Sequence, residues 1–142
     1  MKRTLLFLVI SGTAALIITG CSKKNDTQAA TMKNLAGTYR LTAYTVTSGG
    51  VTIDGLQNMD ACQKDDQLKL NADSTLNYID AGTKCSPDGS YAGSWVVSGN
   101  YLILDGSDSS TIKSFNGSTL VVTFNLTYQG STVVNTQTLT KQ

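Results

Sequence analysis

The sequence predicts an all-β protein: an antiparallel, eight-stranded, up-and-down meander that closes into a barrel. Thr119–Tyr128 alternates apolar and polar side chains with a period of two, which is typical of a strand with one buried face. From Leu35 onward Thr, Val, Ile and Tyr recur, and Gly and Asn interrupt the chain at short intervals. Such short connections make consecutive strands neighbours, and closing the meander removes its exposed edges.

Eight segments carry the strand pattern, and no capped amphipathic run predicts a helix. The predicted strands are Gly37–Thr47, Gln67–Asn71, Thr75–Asp80, Tyr91–Ser98, Tyr101–Asp105, Thr111–Phe115, Thr119–Tyr128 and Thr132–Thr140. Between two of them, Gly99-Asn100 is typical of a two-residue hairpin loop. The stretch from Thr47 to Asp66 is the one long connection that we expect to be irregular.

The composition excludes several classes of function. The chain of 142 residues has 11 Lys and Arg against 10 acidic residues, all of them Asp, and it has no His. Without His there is no Ser-His-Asp or Cys-His catalysis and no His-ligated zinc or haem. The near-neutral balance argues against nucleic acid, which requires a concentrated basic face. We expect no cofactor and no catalytic activity.

The N-terminus has the pattern of an export signal. Lys2 and Arg3 precede the largely apolar stretch Leu5–Ile18, which is too short for a spanning helix. The following Ile18-Thr19-Gly20-Cys21 resembles a bacterial lipobox, which implies cleavage before Cys21 and lipidation of its thiol. The alternative is an ordinary signal peptide followed by a chance cysteine.

These predictions divide the chain into a lipoprotein signal peptide (1–20), a flexible tether (21–34) and a barrel domain (35–142). The tether is predicted from its polar composition and its lack of apolar periodicity. Anchoring by more than one acyl chain is stable, because each buried methylene contributes about 0.8 kcal/mol. We therefore expect a cell-envelope protein that is lipid-anchored to the outer membrane, on either its periplasmic or its surface face.

Two further cysteines, Cys62 and Cys85, form an even pair in an exported chain, which predicts a disulfide. The alternatives are free thiols or a bound metal ion. Two thiolates alone make a poor metal site, since neither a His nor a third Cys can complete the tetrahedron.

Several motifs resemble those of the lipocalin-like lipoproteins of Bacteroidetes. Gly37-Thr38-Tyr39 resembles the G-x-W start of lipocalins, with Tyr in place of Trp. The run that begins at Cys62-Gln-Lys-Asp-Asp, then Gly82-Thr83-Lys84-Cys85 and Gly93-Ser94-Trp95, resembles a C-x-x-D-D, G-T-K-C and G-T-W series. The resemblance covers Leu35–Leu104, and Ser74 departs from it where Gly is common.

The resemblance implies a small lipocalin-like barrel, a disulfide between Cys62 and Cys85, and no catalysis. Inward-facing residues of such a barrel are candidates to line a pocket for a small apolar ligand. The predicted pocket residues are Tyr39, Leu41, Leu70, Tyr78, Trp95, Leu120, Val122 and Phe124. For Trp95 and Tyr39 the alternative is a place in the core of the barrel.

Three acidic motifs have simpler interpretations than a site. Asp65 and Asp66 are adjacent, so on a strand they would face opposite ways and could not share a proton. The Asp105–Asp108 segment has too few ligands for a dedicated calcium loop. Asp73-Ser74-Thr75 resembles an O-glycosylation acceptor for Ser74, and an ordinary turn is the alternative.

Two functions therefore remain. The first is a membrane-tethered protein that binds a small apolar ligand in its barrel. The second is a structural or interaction module of the cell envelope, with a filled barrel that contacts a protein or a glycan. The sequence identifies neither the ligand nor a protein partner. The volume of the barrel interior distinguishes the two functions.

Overall fold

The computed structural model describes residues 27–142. The predicted signal peptide, Cys21 and the first part of the predicted tether lie outside this range. The described elements are α1 (Met32–Leu35), β1 (Gly37–Ser48), β2 (Val51–Asp54), two single-turn 3-10 helices (Leu56–Asn58 and Ala61–Gln63), β3 (Gln67–Leu70), β4 (Thr75–Ile79), β5 (Tyr91–Ser98), β6 (Tyr101–Leu104), β7 (Asp108–Phe115), β8 (Thr119–Tyr128) and β9 (Ser131–Lys141).

Eight of the strands form a closed antiparallel barrel, as the sequence predicts. From β3 to β9 each strand pairs with the next one along the chain, and β1 pairs with both β3 and β9. The β1–β3 ladder covers only Gly37–Arg40, whereas the β1–β9 ladder covers Tyr39–Ser48. The long first strand therefore closes the barrel.

The ninth strand, β2, corrects the prediction that Thr47–Asp66 is irregular. It pairs with the end of β1 after a turn at Gly49-Gly50, whose φ angles are 57° and 80°. Glycine adopts these left-handed angles without strain, and both central residues of a type I′ turn require them. A 2.8 Å hydrogen bond joins the hydroxyls of Thr47 and Thr52 across the hairpin.

The two ends of the barrel differ. At the closed end β1 begins directly after α1, and the β3–β4, β5–β6 and β7–β8 turns lie at the same end. At the opposite end, the mouth, are the β1–β2, β4–β5, β6–β7 and β8–β9 connections. The buried apolar side chains form a single cluster in the half of the barrel nearer to α1. They are Leu35, Tyr39, Leu70, Leu76, Trp95, Leu102, Ile112, Phe115, Leu120, Val122 and Leu139.

The last residues of the predicted tether are packed onto the closed end. The amide of Gln28 donates to the carbonyl oxygen of Phe115 at 2.7 Å. Helix α1 is only four residues long, and Thr31 caps it by accepting the amide of Asn34 at 3.2 Å. Its Leu35 is fully buried. Packing against the barrel therefore begins at Gln28.

Candidate ligand site at the barrel mouth

The closed end is sealed by hydrogen bonds as well as by packing. The hydroxyl of Tyr39 donates to the carbonyl oxygen of Leu35 at 2.7 Å. The ammonium of Lys141 donates to the carbonyl oxygen of Asn34 at 2.8 Å and lies 5.6 and 5.5 Å from the ring centres of Tyr39 and Phe115. Both distances fall within the range of a cation–π contact.

Five of the predicted pocket residues belong to this filled half. Trp95 is 2% exposed, and its indole nitrogen donates to the carbonyl oxygen of Asn71 at 2.9 Å. Buried indole groups usually find such a partner. The others are Tyr39, Leu70, Leu120 and Val122, all within the buried cluster. These side chains were predicted to line a pocket, and the structure places them in the packed core of the barrel.

The mouth contains a cavity of about 530 Å³. Its lining comes from the β6–β7 hairpin, the second half of β8 and β9. The lining residues are Leu104, Ser107, Asp108, Ser109, Ser110, Phe124, Asn125, Leu126 and Gln137. Phe124 is the one predicted pocket residue among them. The volume of the cavity lies within the range of small-molecule sites, which also combine apolar walls with a few polar groups.

An incomplete seam between β7 and β8 borders the cavity. The two strands are paired from Phe115–Leu120 to Thr111–Thr123, and the ladder ends there. Strand β7 nevertheless starts at Asp108, and β8 continues to Tyr128. The cavity lies where these unpaired ends separate. The wall of the barrel is therefore open on this side of the mouth.

Beside the cavity, Asn135 is buried with only part of its amide satisfied. The hydroxyl of Tyr44 donates to Asn135 Oδ1 at 2.6 Å. Asn135 is 2% exposed, and its Nδ2 has no hydrogen-bond partner among the described residues. It lies opposite Phe124 in the β8–β9 ladder and two residues before Gln137, so it shares their inward face.

The remaining predicted pocket residues, Leu41 and Tyr78, lie outside the cavity lining. Leu41 packs against the buried cluster. The hydroxyl of Tyr78 donates to Asp66 at 2.8 Å, and its ring stacks on that of Tyr91 with 5.5 Å between centres. Burial, and then the hydrogen bond to Asp66, raises the pKa of Tyr78 above its usual value.

The disulfide predicted between Cys62 and Cys85 is present, with 5.2 Å between the Cα atoms. It ties the segment that follows β2 to the β4–β5 loop. That loop folds around the fully buried Asp80, whose carboxylate accepts the amide of Cys85 at 3.0 Å and that of Gly89 at 3.4 Å. The ammonium of Lys84 donates to the carbonyl oxygen of Asp80.

The mouth is weakly acidic. Asp108 lines the cavity, and Asp105 accepts the amide of Ser94 at 2.8 Å nearby. Burial raises the pKa of Tyr91, and the charges of Asp105 and Asp108 raise it further. Across residues 27–142 no three metal-binding side chains are grouped closely enough to hold a metal ion.

The motif at Asp73-Ser74-Thr75 forms a tight turn. Asp73 accepts both the hydroxyl of Thr75 at 2.6 Å and its amide at 3.0 Å, and these bonds lower the pKa of the carboxyl group. Ser74 is exposed and has a φ of 71°. Whether it carries a glycan stays a prediction.

Sequence reasoning missed most of the cavity lining. Leu126 could be recognised, because it continues the inward stripe of β8. Ser107–Ser110 and Gln137 are polar residues without a recognisable motif, and they line the cavity only because the β7–β8 ladder stops early. No local sequence signal marks where a ladder between two strands will end.

The architecture is that of a small β-barrel with a packed base and an open, partly polar mouth, a form of binding domain. Residues 35–122 match the model of the family described as lipocalin-like domain, and the chain belongs to that family. Lipocalin-like domains are generally binding domains without catalytic activity. No curated protein and no solved structure gives a significant match to the chain. Within residues 27–142 no helix combines the length and the apolar character needed to cross a membrane.

Proposed function

We propose that this chain is a lipid-anchored, non-catalytic binding protein of the cell envelope, whose barrel mouth takes a small molecule with an apolar body. The observation that carries the proposal is the cavity of about 530 Å³. Leu104, Phe124 and Leu126 give it an apolar wall, while Ser110 and Gln137 offer polar groups that can orient a ligand.

The division of the barrel interior supports this proposal. The packed half already buries Trp95 and its neighbours, so the domain does not depend on a ligand to complete its core. The mouth is left free to exchange a ligand. The ligand is therefore expected to lie at the mouth, above the buried cluster.

Attachment to the membrane rests on the lipobox-like Ile18-Thr19-Gly20-Cys21. Metabolic labelling with a palmitate analogue tests it in an exported full-length chain. Labelling of the wild type and its loss in Cys21→Ala is the expected result. Equal labelling of both chains would contradict lipidation at this residue.

A titration with the neutral fluorophore N-phenyl-1-naphthylamine tests ligand binding. Ser110→Phe places a large ring in the cavity and is expected to abolish the fluorescence increase. Ser98→Phe is the matched control, because Ser98 is an exposed strand residue at the closed end. Saturable binding by the wild type and by Ser98→Phe supports the proposal. The absence of binding, or equal binding by all three, would contradict it.

One observation favours a second function, an interaction module. Large apolar side chains are exposed on β2 and β8: Val51 is 66% exposed, Ile53 53%, Leu126 54% and Tyr128 67%. Exposed apolar surface of this kind often marks a contact with another molecule. A pull-down from envelope extract with full-length protein tests this function, and a Val51→Ser, Ile53→Ser variant serves as its control.

A further inference from the structure

The seam between β7 and β8 exposes the edges of two strands. Beyond the last pair, Thr111–Thr123, neither Asp108–Ser110 of β7 nor Phe124–Tyr128 of β8 pairs with the other strand. On their far sides both segments stay paired, with β6 and β9 respectively. Each segment is therefore held as a strand by one neighbour, and its other edge is free to pair with a further strand.

The turn between β8 and β9 fixes which backbone groups face the seam. Tyr128 pairs with Ser131 across Gln129-Gly130, both with positive φ, which is a two-residue type I′ hairpin. Residues that flank such a loop bond to each other, and bonding then alternates along the ladder. The amide and carbonyl groups of Asn125 and Thr127 consequently point away from β9, towards the seam.

The opposite wall presents the same kind of edge. The amide of Ile112 donates to the carbonyl oxygen of Asn100 at 2.8 Å, so even-numbered residues at the start of β7 bond towards β6. The backbone groups of Ser109 therefore face the seam. Two walls with free backbone groups at strand geometry border the cavity.

Natural proteins usually protect a free edge with charge, proline or a bulge. The free edge of β8 has neither charge nor proline, because from Asn116 to Thr140 the chain contains no charged residue and no proline. The single irregularity in the β7–β8 ladder lies at Ile112–Ser114, on the paired side. The unpaired part of β8 is left able to pair.

We propose that the seam binds an extended polypeptide segment, which adds to β8 as an antiparallel strand through the backbone of Asn125 and Thr127. Such strand addition gains affinity from main-chain hydrogen bonds and selectivity from alternate side chains. Alternate side chains of the added strand face Leu104, Phe124 and Leu126. Asp108 is the one charged residue of the cavity lining, so the segment carries uncharged or basic side chains and no acidic ones. The segment would use the same apolar wall as the proposed small molecule, so the two ligands should compete, although strand addition does not require the small molecule.

Thr127→Pro tests it, because proline removes the seam-facing amide while leaving the bonds to β9. Thr127→Ala is the matched control, since it keeps the amide. A phage library of random dodecapeptides is panned on the wild-type domain, and enriched peptides are synthesised and titrated by fluorescence anisotropy. We expect binding by the wild type and Thr127→Ala, and a loss of about tenfold or more in Thr127→Pro, because one main-chain hydrogen bond is lost and the proline ring also blocks approach.

A second measurement covers the case in which Thr127→Pro fails to fold. Amide hydrogen exchange of the wild type with the enriched peptide should show new protection at Asn125 and Thr127. Failure to enrich any peptide, equal binding by all three proteins, or unchanged exchange would overturn the proposal. So would a dimer that forms through this edge and excludes peptide, since the occupant would then be a second copy of the chain. Naphthylamine binding, measured in the same proteins without peptide, reports on the small-molecule site.

Discussion

The hydroxyl of Tyr39 donates a 2.7 Å hydrogen bond to the carbonyl oxygen of Leu35, and both residues are fully buried. The bond joins the first strand to α1, and Tyr39→Phe removes the donor and leaves a buried carbonyl without this partner. We expect the free energy of unfolding to fall by about 1–3 kcal/mol. Urea denaturation measures it. Tyr101→Phe, which removes the hydroxyl of a 51% exposed ring, is the control and should change stability little.

Alkaline pH should destabilise the fold through Tyr39, which is buried, and Tyr78, which is partly buried. Burial raises the pKa of Tyr39 and of Tyr78 above the value of about 10 that is typical of an unfolded chain. Above pH 10 the unfolded state loses these protons first, so stability is fully present below that pH and declines as the pH rises further.

Urea midpoints between pH 8 and pH 11 test this dependence. The double variant Tyr39→Phe, Tyr78→Phe should be less stable at pH 8 and should show a shallower decline. A decline of equal slope in both proteins would assign the effect to other groups, such as lysine.

The disulfide between Cys62 and Cys85 should stabilise the domain measurably. Its ends are separated by 23 positions, for which loop-closure entropy gives at most about 3.4 kcal/mol. The double variant Cys62→Ala, Cys85→Ala should lose up to that amount in urea denaturation and should be insensitive to reductant. The stability of the wild-type protein in reductant should approach that of the double variant. Free thiols that alkylate in the native, oxidised protein would contradict the prediction.

Asp80 should be required for the ordered β4–β5 loop. Asp80→Asn replaces one carboxylate oxygen by an amide group that can only donate, next to the Cys85 amide that contacts both carboxylate oxygens at 3.3 and 3.0 Å. We expect a loss of about 1–3 kcal/mol and faster proteolysis within the loop. Asp60→Asn is the control, because Asp60 is exposed and its side chain caps nothing. Equal effects of the two substitutions would show that the buried carboxylate is dispensable.

The barrel itself follows from local patterns in the sequence. The alternation in Thr119–Tyr128 gives β8 its bounds as observed, and Tyr91–Ser98 is also predicted without error. Both succeed because a strand with one buried face must alternate its side chains. Strand β2 was missed although Val51-Thr52-Ile53-Asp54 alternates apolar and polar residues, because the strand has only four residues and all of them are exposed.

The candidate site depends on contacts between distant segments, which local sequence patterns do not contain. Trp95 and Phe124 both face the interior, yet one is sealed into the base and the other lines the cavity. The difference arises from α1, which covers one end of the barrel, and from the early end of the β7–β8 ladder. Both result from contacts between segments far apart in the chain, and a period of two cannot tell which end of a strand will be covered.

The chain joins the sealed base of the domain at Gln28, and this bears on the direction from which a ligand reaches the mouth. If Cys21 carries the proposed acyl groups, the seven residues to Gln28 can reach no farther than about 25 Å. The base of the domain would then stay within that distance of the bilayer, and the mouth would lie at the opposite end of the barrel from the anchor. A ligand would then have a shorter path to the mouth from the surrounding fluid than from the leaflet beneath.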